Sequence, residues 1–279
     1  ANYLELKESN LKKDDGLYGD PSDPYGPYAS ASSSSSKYKS SNFSVFGNLD
    51  YLLSASLKFS IGLRWEDWEA DYSDSLQESF NPTDKMSGGK ISLIKNMTND
   101  TNMYASLAKG YKQGGFNLGL GLDANATNKN LAYDPEFLTN YELGINTKLL
   151  DSRITFNGVL FYSDREDQQV LISTQTDPSD PNTFSFLTQN AAEGVNHGLE
   201  INMDMDINES LSAFVNLGIL KTEIKNWQSR QDLEGRAQAH APERSYALGL
   251  NWAPTSHTYL AIDFTGKSSF YYSDSHNNK

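Results

Sequence analysis

Apolar and polar residues alternate along much of this sequence, and the clearest run covers residues 199–207. Apolar side chains occupy the odd positions from Leu199 to Ile207, and polar ones occupy the even positions from Glu200 to Asp206. Successive side chains of a β-strand point to opposite faces, so a period of two predicts a strand. Because similar runs recur from end to end, the sequence predicts an all-β protein built from antiparallel strands.

The alternation predicts about eleven strands, with the residue 184–207 strand interrupted near 192–194. They lie at residues 2–7, 42–51, 56–72, 90–96, 102–111, 139–150, 153–171, 184–207, 211–224, 245–252 and 258–268. The links alternate between short polar turns and long segments rich in Gly, Ser, Asp and Pro, predicted as loops at residues 8–40, 73–89, 113–138, 173–183 and 225–244. Short turns at one end and long loops at the other are typical of an outer-membrane β-barrel.

Composition removes several other classes of protein. The chain has no cysteine, which excludes disulfides and thiolate metal sites. Its net charge of -13 argues against nucleic acid as a partner. The low mean hydropathy would suggest a soluble protein, but half of each barrel strand can face a polar interior, which dilutes the apolar signal. No apolar run approaches the length of a membrane helix.

The polar faces of the predicted strands carry charged residues that a barrel would turn toward its interior. These lumen-facing candidates are Arg64, Glu142, Lys148, Glu200, Asp204 and Asp206. They would contact a plug, a passing solute or only water. Tyr and Trp residues cluster near predicted strand ends, which fits interfacial girdles, although ordinary β-propensity also enriches aromatic residues.

The predicted strand count indicates whether these strands would form a whole barrel. Single-chain bacterial barrels have even strand numbers, so an odd count indicates part of a larger barrel. No signal peptide opens the chain, so we expect either a mature protein or a fragment.

Several segments resemble TonB-dependent outer-membrane receptors, and most closely the iron-complex receptors among them. The segments occur in the family's order: residues 104–117 (YASLAKGYKQGGFN), 135–144 (PEFLTNYELG), 190–200 (NAAEGVNHGLE), 240–243 (HAPE) and 270–274 (FYYSD). The resemblance implies a barrel of twenty-two strands filled by an N-terminal plug that contacts TonB. Neither the plug nor the family's final strands are visible in this sequence. Residues 1–279 therefore resemble a partial barrel domain, from its middle and later part.

The same resemblance implies a function and its partners. We expect energised uptake of a scarce nutrient, such as a ferric siderophore, with TonB acting through the missing plug and lipid surrounding the barrel. Receptors for siderophores, haem, cobalamin and glycans share this architecture, so the ligand stays open. No cofactor is expected.

Candidate ligand contacts lie where the fifth predicted strand runs into a long loop. Tyr111, Lys112, Gln113, Phe116 and Asn117 offer aromatic area and hydrogen bonds to a bulky polar chelate. A structural role in the bend is the alternative, because the pair Gly114-Gly115 favours one. No catalytic constellation is apparent, and the four histidines lack metal-ligand spacing, so neither an enzyme nor a metal site is expected.

Two other classes fit parts of the pattern. A smaller, complete outer-membrane barrel of about twelve strands, of the autotransporter or adhesin type, suits the chain length but not the odd strand count. A soluble β-sandwich that binds carbohydrate explains the alternation but not the rhythm of long and short links. Folding without detergent would favour the sandwich.

Overall fold

A computed structural model describes residues 1–14, 17–18, 28–29, 32–75, 79–117, 132–175, 184–227 and 230–273. The strands are β1 (Asn2–Asp14), β2 (Leu17–Tyr18), β3 (Tyr28–Ala29), β4 (Ser32–Ser54), β5 (Leu57–Asp74), β6 (Ser79–Phe80), β7 (Thr83–Asn96), β8 (Thr101–Lys112), β9 (Gly115–Phe116), β10 (Ala132–Tyr133), β11 (Glu136–Leu149), β12 (Ile154–Gln175), β13 (Phe184–Asn208), β14 (Leu211–Trp227), β15 (Arg244–Thr255) and β16 (Thr258–Lys267). A 3-10 helix covers Gln231–Leu233. In these ranges no helix has the length and apolar character needed to cross a membrane.

Eleven long strands follow one another in a single sheet, in the order β1-β4-β5-β7-β8-β11-β12-β13-β14-β15-β16, and the short β6 pairs with β5. Each long strand lies beside the next long strand of the sequence, so the sheet is a simple meander. The pairings are antiparallel. The predicted all-β antiparallel class and the count of about eleven strands are therefore confirmed for the described residues.

The chain divides into two compact units, and several strands run through both. The first unit comprises residues 1–46 and 64–86. Here β1 pairs with β4 along its length, from Asn2 opposite Ser44 to Asp14 opposite Ser32. Alternate residues of β5, from Trp68 to Tyr72, are buried together with Met86 of β7. Their two-residue spacing places the β5 residues on one face, which forms the packed core of this unit.

The second unit comprises residues 47–63 and 87–279. From the row of Tyr141 to the row of Leu149, β11, β12, β13 and β14 pair without a register shift, so residues form straight cross-strand rows there. A small buried cluster lies near the long-loop ends of β12, β13 and β14, where the 3-10 helix packs; it consists of Val170, Ala192, Ile224, Trp227 and Leu233.

The strands extend beyond the sequence-based bounds, and this is the main correction to the prediction. The predicted loop at residues 8–40 is wrong at both ends, because β1 continues to Asp14 and the serine-rich segment belongs to β4. Ser36 lies opposite Asn10, and Ser35 lies opposite Leu11. Serine is a poor strand signal, but its backbone N–H and C=O can complete a ladder whatever the side chain.

The four other predicted loops are shortened as well. Residues 83–89 belong to β7, 136–138 to β11, 173–175 to β12 and 225–227 to β14. Strand β13 is continuous across 192–194, where an interruption was predicted, but its pairing with β14 shifts register between Glu193 and Gly194. The shift leaves Lys225 of β14 without a partner on β13, which is the pattern of a bulge, and a bulge bends a strand without ending it. The central parts of the predicted loops at 113–138 and 173–183 lie outside the described residues.

Aromatic side chains of several strands lie flat over a glycine of the next strand. Tyr104 of β8 covers Gly144 of β11 so closely that a Cβ added at Gly144 would overlap the Tyr104 ring. Phe214 of β14 covers Gly249 of β15 in the same way. The missing glycine side chains therefore leave room for rings that fill the sheet surface.

Candidate functional site

The sheet of the second unit has an apolar face that is exposed. We use "apolar face" for the face that carries Leu107, Tyr141, Leu143, Leu160 and Leu217. Leu143 is 60% exposed and Leu160 is 56% exposed, and the two lie directly opposite each other on β11 and β12. A water-soluble sheet would bury such a surface, whereas contact with lipid requires it.

Five cross-strand rows build this face from β11 to β14. Each row has one residue on β11, and from the long-loop end to the short-turn end these are Tyr141, Leu143, Ile145, Thr147 and Leu149. From Tyr141 to Leu149 the strand advances eight residues, or about 26 Å. Because strands of membrane barrels are tilted by about 35–45°, this length corresponds to a height of about 20 Å, close to the apolar band of about 25 Å.

The opposite "polar face" carries hydrogen-bonded side chains, with Glu142 at the centre of one group. The Glu142 carboxylate accepts hydrogen bonds from Asn140 Nδ2 (2.7 Å) and Ser106 Oγ (3.2 Å). Lys90 Nζ lies 3.8 Å from the same carboxylate. Ser163 Oγ extends the group by donating to Asn140 Oδ1 at 2.7 Å. Four strands thus share one polar network.

In the first unit, Arg64 and Glu66 form a similar pair on β5. Glu66 is only 7% exposed, and its carboxylate accepts hydrogen bonds from the Arg64 guanidinium and from the Asn42 amide. The Arg64 guanidinium also lies 5.9 Å from the centre of the Phe46 ring. A buried carboxylate needs such partners, because burying a charge without them is costly.

The other lumen-facing candidates are more open. Glu200, Asp204 and Asp206 are exposed on the polar face of β13, and Lys148 is exposed near the short-turn end of β11. Glu200 borders a cavity of about 380 Å³ between β13, β14, β15 and β16, and Asn202, Asn216, Ser245 and Thr265 are among its other lining residues. The structure therefore places these candidates on one face but does not join them into a single cluster.

The predicted ligand-contact residues lie at the end of β8 and in the segment after it. The Asn117 side chain bridges to β13, donating from Nδ2 to the Thr188 carbonyl (2.9 Å) and accepting from the Thr188 N–H (2.7 Å). The Gln113 carbonyl accepts a hydrogen bond from Gln169 Nε2 at 2.8 Å. Tyr111 and Phe116 are half-buried, and Lys112 is exposed. Asn117 and Gln113 thus brace this segment, and ligand contact by all five residues stays a prediction.

A polar cluster that sequence reasoning missed fastens the ends of β11, β12 and β13 together. Gln169 donates its backbone N–H to Glu136 Oε2 at 3.0 Å, and Arg165 Nε lies 3.2 Å from Glu136 Oε1. The Asn190 amide donates to the carbonyls of Asp134 and Asp167, both at 2.8 Å. Asp167 has a positive φ of 53°, which marks the irregular step in β12. No local sequence motif predicts this cluster, because its members come from three strands and the segments beside them.

A second missed group joins the loop between β14 and β15 to the segment that follows β16. The Arg236 guanidinium lies 4.1 Å from the centre of the Tyr271 ring, and its Nε and Nη2 are buried without a hydrogen-bond partner in the described part of the chain. The His240 ring lies 6.1 Å from Phe270 and 6.3 Å from Tyr272. Residues 240–243 and 270–274 were separate segments of the family resemblance, and the fold brings them together.

An exposed ion pair lies in the same loop. Arg230 donates two hydrogen bonds of 3.0 Å to the Asp232 carboxylate. These bonds lower the pKa of Asp232 and raise the pKa of Arg230. The carboxylate therefore stays charged at neutral pH.

Among the described residues no group of three or more His, Cys, Asp or Glu side chains is arranged to hold a metal ion.

Residues 5–279 match the sequence model of the family described as TonB dependent receptor-like, beta-barrel. The chain belongs to this family. The match covers nearly the whole chain, so the antiparallel sheet is part of a TonB-dependent receptor barrel. A soluble sandwich is thereby excluded as the fold, and a smaller autotransporter-type barrel is not favoured.

Solved structures of the family share this fold. The ferric yersiniabactin uptake receptor FyuA from Yersinia pestis matches with a TM-score of 0.69 and 18% identity, over 98% of this chain and 40% of that one. The siderophore receptor PiuA from Acinetobacter baumannii matches with a TM-score of 0.69 and 17% identity, over 95% of this chain and 42% of that one.

The ferric-catecholate import receptor Fiu from E. coli K12 matches with a TM-score of 0.67 and 15% identity, over 96% of this chain and 41% of that one. The TonB-dependent receptor barrel described here thus spans about two fifths of the length of these solved receptors.

Proposed function

We propose that this chain is a barrel segment of an outer-membrane receptor that takes up a ferric siderophore with energy supplied through TonB. The proposal depends on one observation: the sheet exposes its apolar face and carries hydrogen-bonded polar side chains on the other, in a chain that matches the receptor barrel family over residues 5–279. The similar solved receptors named above are siderophore or ferric-complex receptors, which supports the choice of ligand.

In this proposal the two faces of the sheet have different surroundings. The apolar face contacts lipid, and the polar face lines the barrel interior, where the Glu142 network and the Glu200 cavity contact water, solute or a plug. Hydrogen-bonded wall residues suit this position, because a wet interior lets polar groups stay solvated or paired. The plug, its contact with TonB and further strands beside β1 and β16 would come from other parts of the protein.

The proposed ligand contacts lie at the long-loop ends of the strands, which face outward from the cell in this family. Tyr111, Lys112 and Phe116 contribute one set, and the group that contains Arg236, Tyr271 and Tyr272 contributes a second. Ferric chelates are bulky and often anionic, so aromatic faces and guanidinium groups are suitable partners. Gln113 and Asn117 would contribute mainly by bracing the segment.

Uptake of iron-55 by cells tests the proposal. A strain lacking the gene would be complemented with the complete gene product and offered ferric catecholate, ferric hydroxamate and ferric citrate complexes. We expect one class of chelate to be accumulated only when both the gene and TonB are present. Equal uptake in cells without TonB, or uptake of none of the chelates, would overturn the proposed transport.

The alternative of a small complete barrel makes a different prediction. Such a chain would close on itself, refold alone in detergent and run as a heat-modifiable band on a gel. Because β1 and β16 lie at opposite edges of the described sheet, we expect residues 1–279 alone not to give that band.

A further inference from the structure

Asparagine side chains form one cross-strand row on the polar face of the second unit. Each lies directly opposite the next across six neighbouring strands, from β7 through β8, β11, β12 and β13 to β14. We use "amide row" for these residues, which are Asn96, Asn102, Asn146, Asn157, Asn202 and Asn216. The row lies in the second unit only. Local sequence gives no sign of it, because each strand contributes a single member.

The amide row is slanted with respect to the short turns. Asn96 is the last residue of β7, so the row begins beside a short turn. On β13, Asn202 lies six residues before Asn208, the last residue of that strand. Six residues of a strand span about 20 Å, and paired strands are about 4.8 Å apart. The row is therefore a closely spaced series of amides that leads from the short-turn end toward the middle of the sheet.

Several amide groups of this row are open to a ligand. Asn146 Nδ2 donates to Asn102 Oδ1 at 3.0 Å. Asn157, Asn202 and Asn216, by contrast, make no side-chain hydrogen bond with any residue that the structure describes. Asn202 and Asn216 are exposed and line the 380 Å³ cavity described above. Each such amide offers two N–H donors and a carbonyl acceptor, so the row can bind a polar solute that presents both kinds of group.

The two rows that flank the amide row on the same face carry few charges. On the paired residues of the same six strands, the row nearer the long loops has Glu200 as its one charged residue, and the row nearer the short turns has Lys148 and Asp204. Beyond β14, these two rows reach Lys267 and Asp263 on β16. An anionic solute would therefore meet as many carboxylates as lysines here, and uncharged amides form the main polar surface.

We propose that the amide row is a hydrogen-bonding track for the transported solute, and that this solute is an uncharged ferric chelate of the hydroxamate type. A ferric trihydroxamate has no net charge and presents carbonyl oxygens and amide groups, which match the donors and acceptors of the row. Passage requires contacts that are weak and repeated, and neutral amides provide them where ion pairs would hold the solute more tightly. The inference rests on the transport proposed above and narrows its substrate class.

Iron-55 transport by cells that make the complete gene product tests the proposal. Ferrichrome and ferric coprogen, which are neutral trihydroxamate chelates, would be compared with an anionic ferric tricatecholate. We expect a trihydroxamate to be accumulated in preference to the tricatecholate when TonB is present. In N202L/N216L, binding to cells on ice should be unchanged, because the row lies away from the long loops. Internalisation should fall about tenfold, because two hydrogen-bonding groups are lost.

Further variants separate hydrogen bonding from side-chain size. N202D/N216D keeps the shape of both side chains but loses their N–H donors, so it should show the same loss of internalisation. N202Q/N216Q keeps the amides and should retain most of it. The matched control is Asn251→Leu, which removes an amide from the same face two rows nearer the short turns and should transport normally. Heat-modifiable mobility on a gel shows that each variant is folded.

Each result bears on the track. Reduced internalisation in the leucine and aspartate double variants, with binding on ice intact, supports it. Full internalisation by both variants, an equal loss in Asn251→Leu, or a loss of binding on ice overturns it. Accumulation of the tricatecholate alone, dependent on TonB, also overturns this inference but leaves the proposed transport standing. Uptake of none of the chelates would overturn the transport itself.

Discussion

At the scale of single residues, the contact between Tyr104 and Gly144 is one of the tight constraints on side-chain choice in the second unit. The ring occupies the space that any β-carbon at Gly144 would need. At Gly110, by contrast, an added Cβ would have nothing within 4 Å. The two glycines lie on neighbouring strands, which makes them a matched pair.

We expect Gly144→Ala to destabilise the folded receptor by about 1–3 kcal/mol, because the Tyr104 ring must leave its position over the sheet. Gly110→Ala should change the free energy of unfolding by less than about 0.5 kcal/mol. Urea unfolding in detergent, followed by tryptophan fluorescence, measures both. Equal midpoints for the two variants would show that the ring is easily displaced.

Asn117 supplies a second prediction at this scale. Its side chain acts as a backbone substitute, receiving the Thr188 N–H and donating to the Thr188 carbonyl. We expect Asn117→Ala to reduce hydrogen-exchange protection of the Thr188 amide by about tenfold, the equivalent of one hydrogen bond. Asn117→Asp retains the acceptor and should keep most of the protection. Unchanged protection in the alanine variant would mean that other contacts hold this segment.

At the scale of elements, the turn between β11 and β12 is unusual because three successive non-glycine residues have positive φ. The φ angles are 53° for Leu150, 55° for Asp151 and 67° for Ser152. This region of backbone space is unfavourable for side chains with a β-carbon. The short connection requires it, since Leu149 pairs directly with Ile154.

We expect Asp151→Gly to stabilise the protein by about 0.5–1 kcal/mol, because glycine adopts this conformation without steric cost. Glu209→Gly, in the turn between β13 and β14, is the control. Glu209 is not among the described non-glycine residues with positive φ, so glycine there only adds freedom to the unfolded chain and should destabilise slightly. The urea midpoint should rise for Asp151→Gly and fall slightly for Glu209→Gly, and a lower midpoint for Asp151→Gly would show that the positive φ of Asp151 carries no steric cost.

At the scale of the whole molecule, the environment of each sheet face is the property on which the function depends. Leu217 and Asn216 are neighbours on β14 and lie near the middle of the cross-strand rows. Leu217 is on the apolar face and is 41% exposed, and Asn216 borders the cavity beside Glu200. A single sequence step therefore separates the proposed lipid side from the proposed lumen side.

We expect Leu217→Arg to reduce the stability of the membrane-inserted receptor by about 2–4 kcal/mol, the cost of an arginine on the lipid face at mid-membrane. Asn216→Arg should assemble normally. The amount of heat-modifiable receptor in isolated outer membranes measures both. Equal assembly of the two variants would refute the lipid-facing assignment.

Much of this architecture was predictable from local sequence. Alternation at residues 199–207 identified strand β13 and the division of its side chains between two faces, because a two-residue period is imposed by the strand itself. Strand ends were less predictable. The serine-rich part of β4 was assigned to a loop, because composition does not report the backbone pairing that a neighbouring strand supplies.

The sequence by itself determined the all-β class, the approximate strand number and the polar or apolar character of each face. Only the tertiary structure decided which residues meet, because cross-strand register joins positions that are far apart in the chain. His240 meets Phe270 and Tyr272, and His197 lies opposite Lys221, through pairing between strands and loops rather than through any local pattern. Only the tertiary structure decided which face of the sheet is exposed. Alternation marks two faces, and the packing of the fold decides which of them remains uncovered.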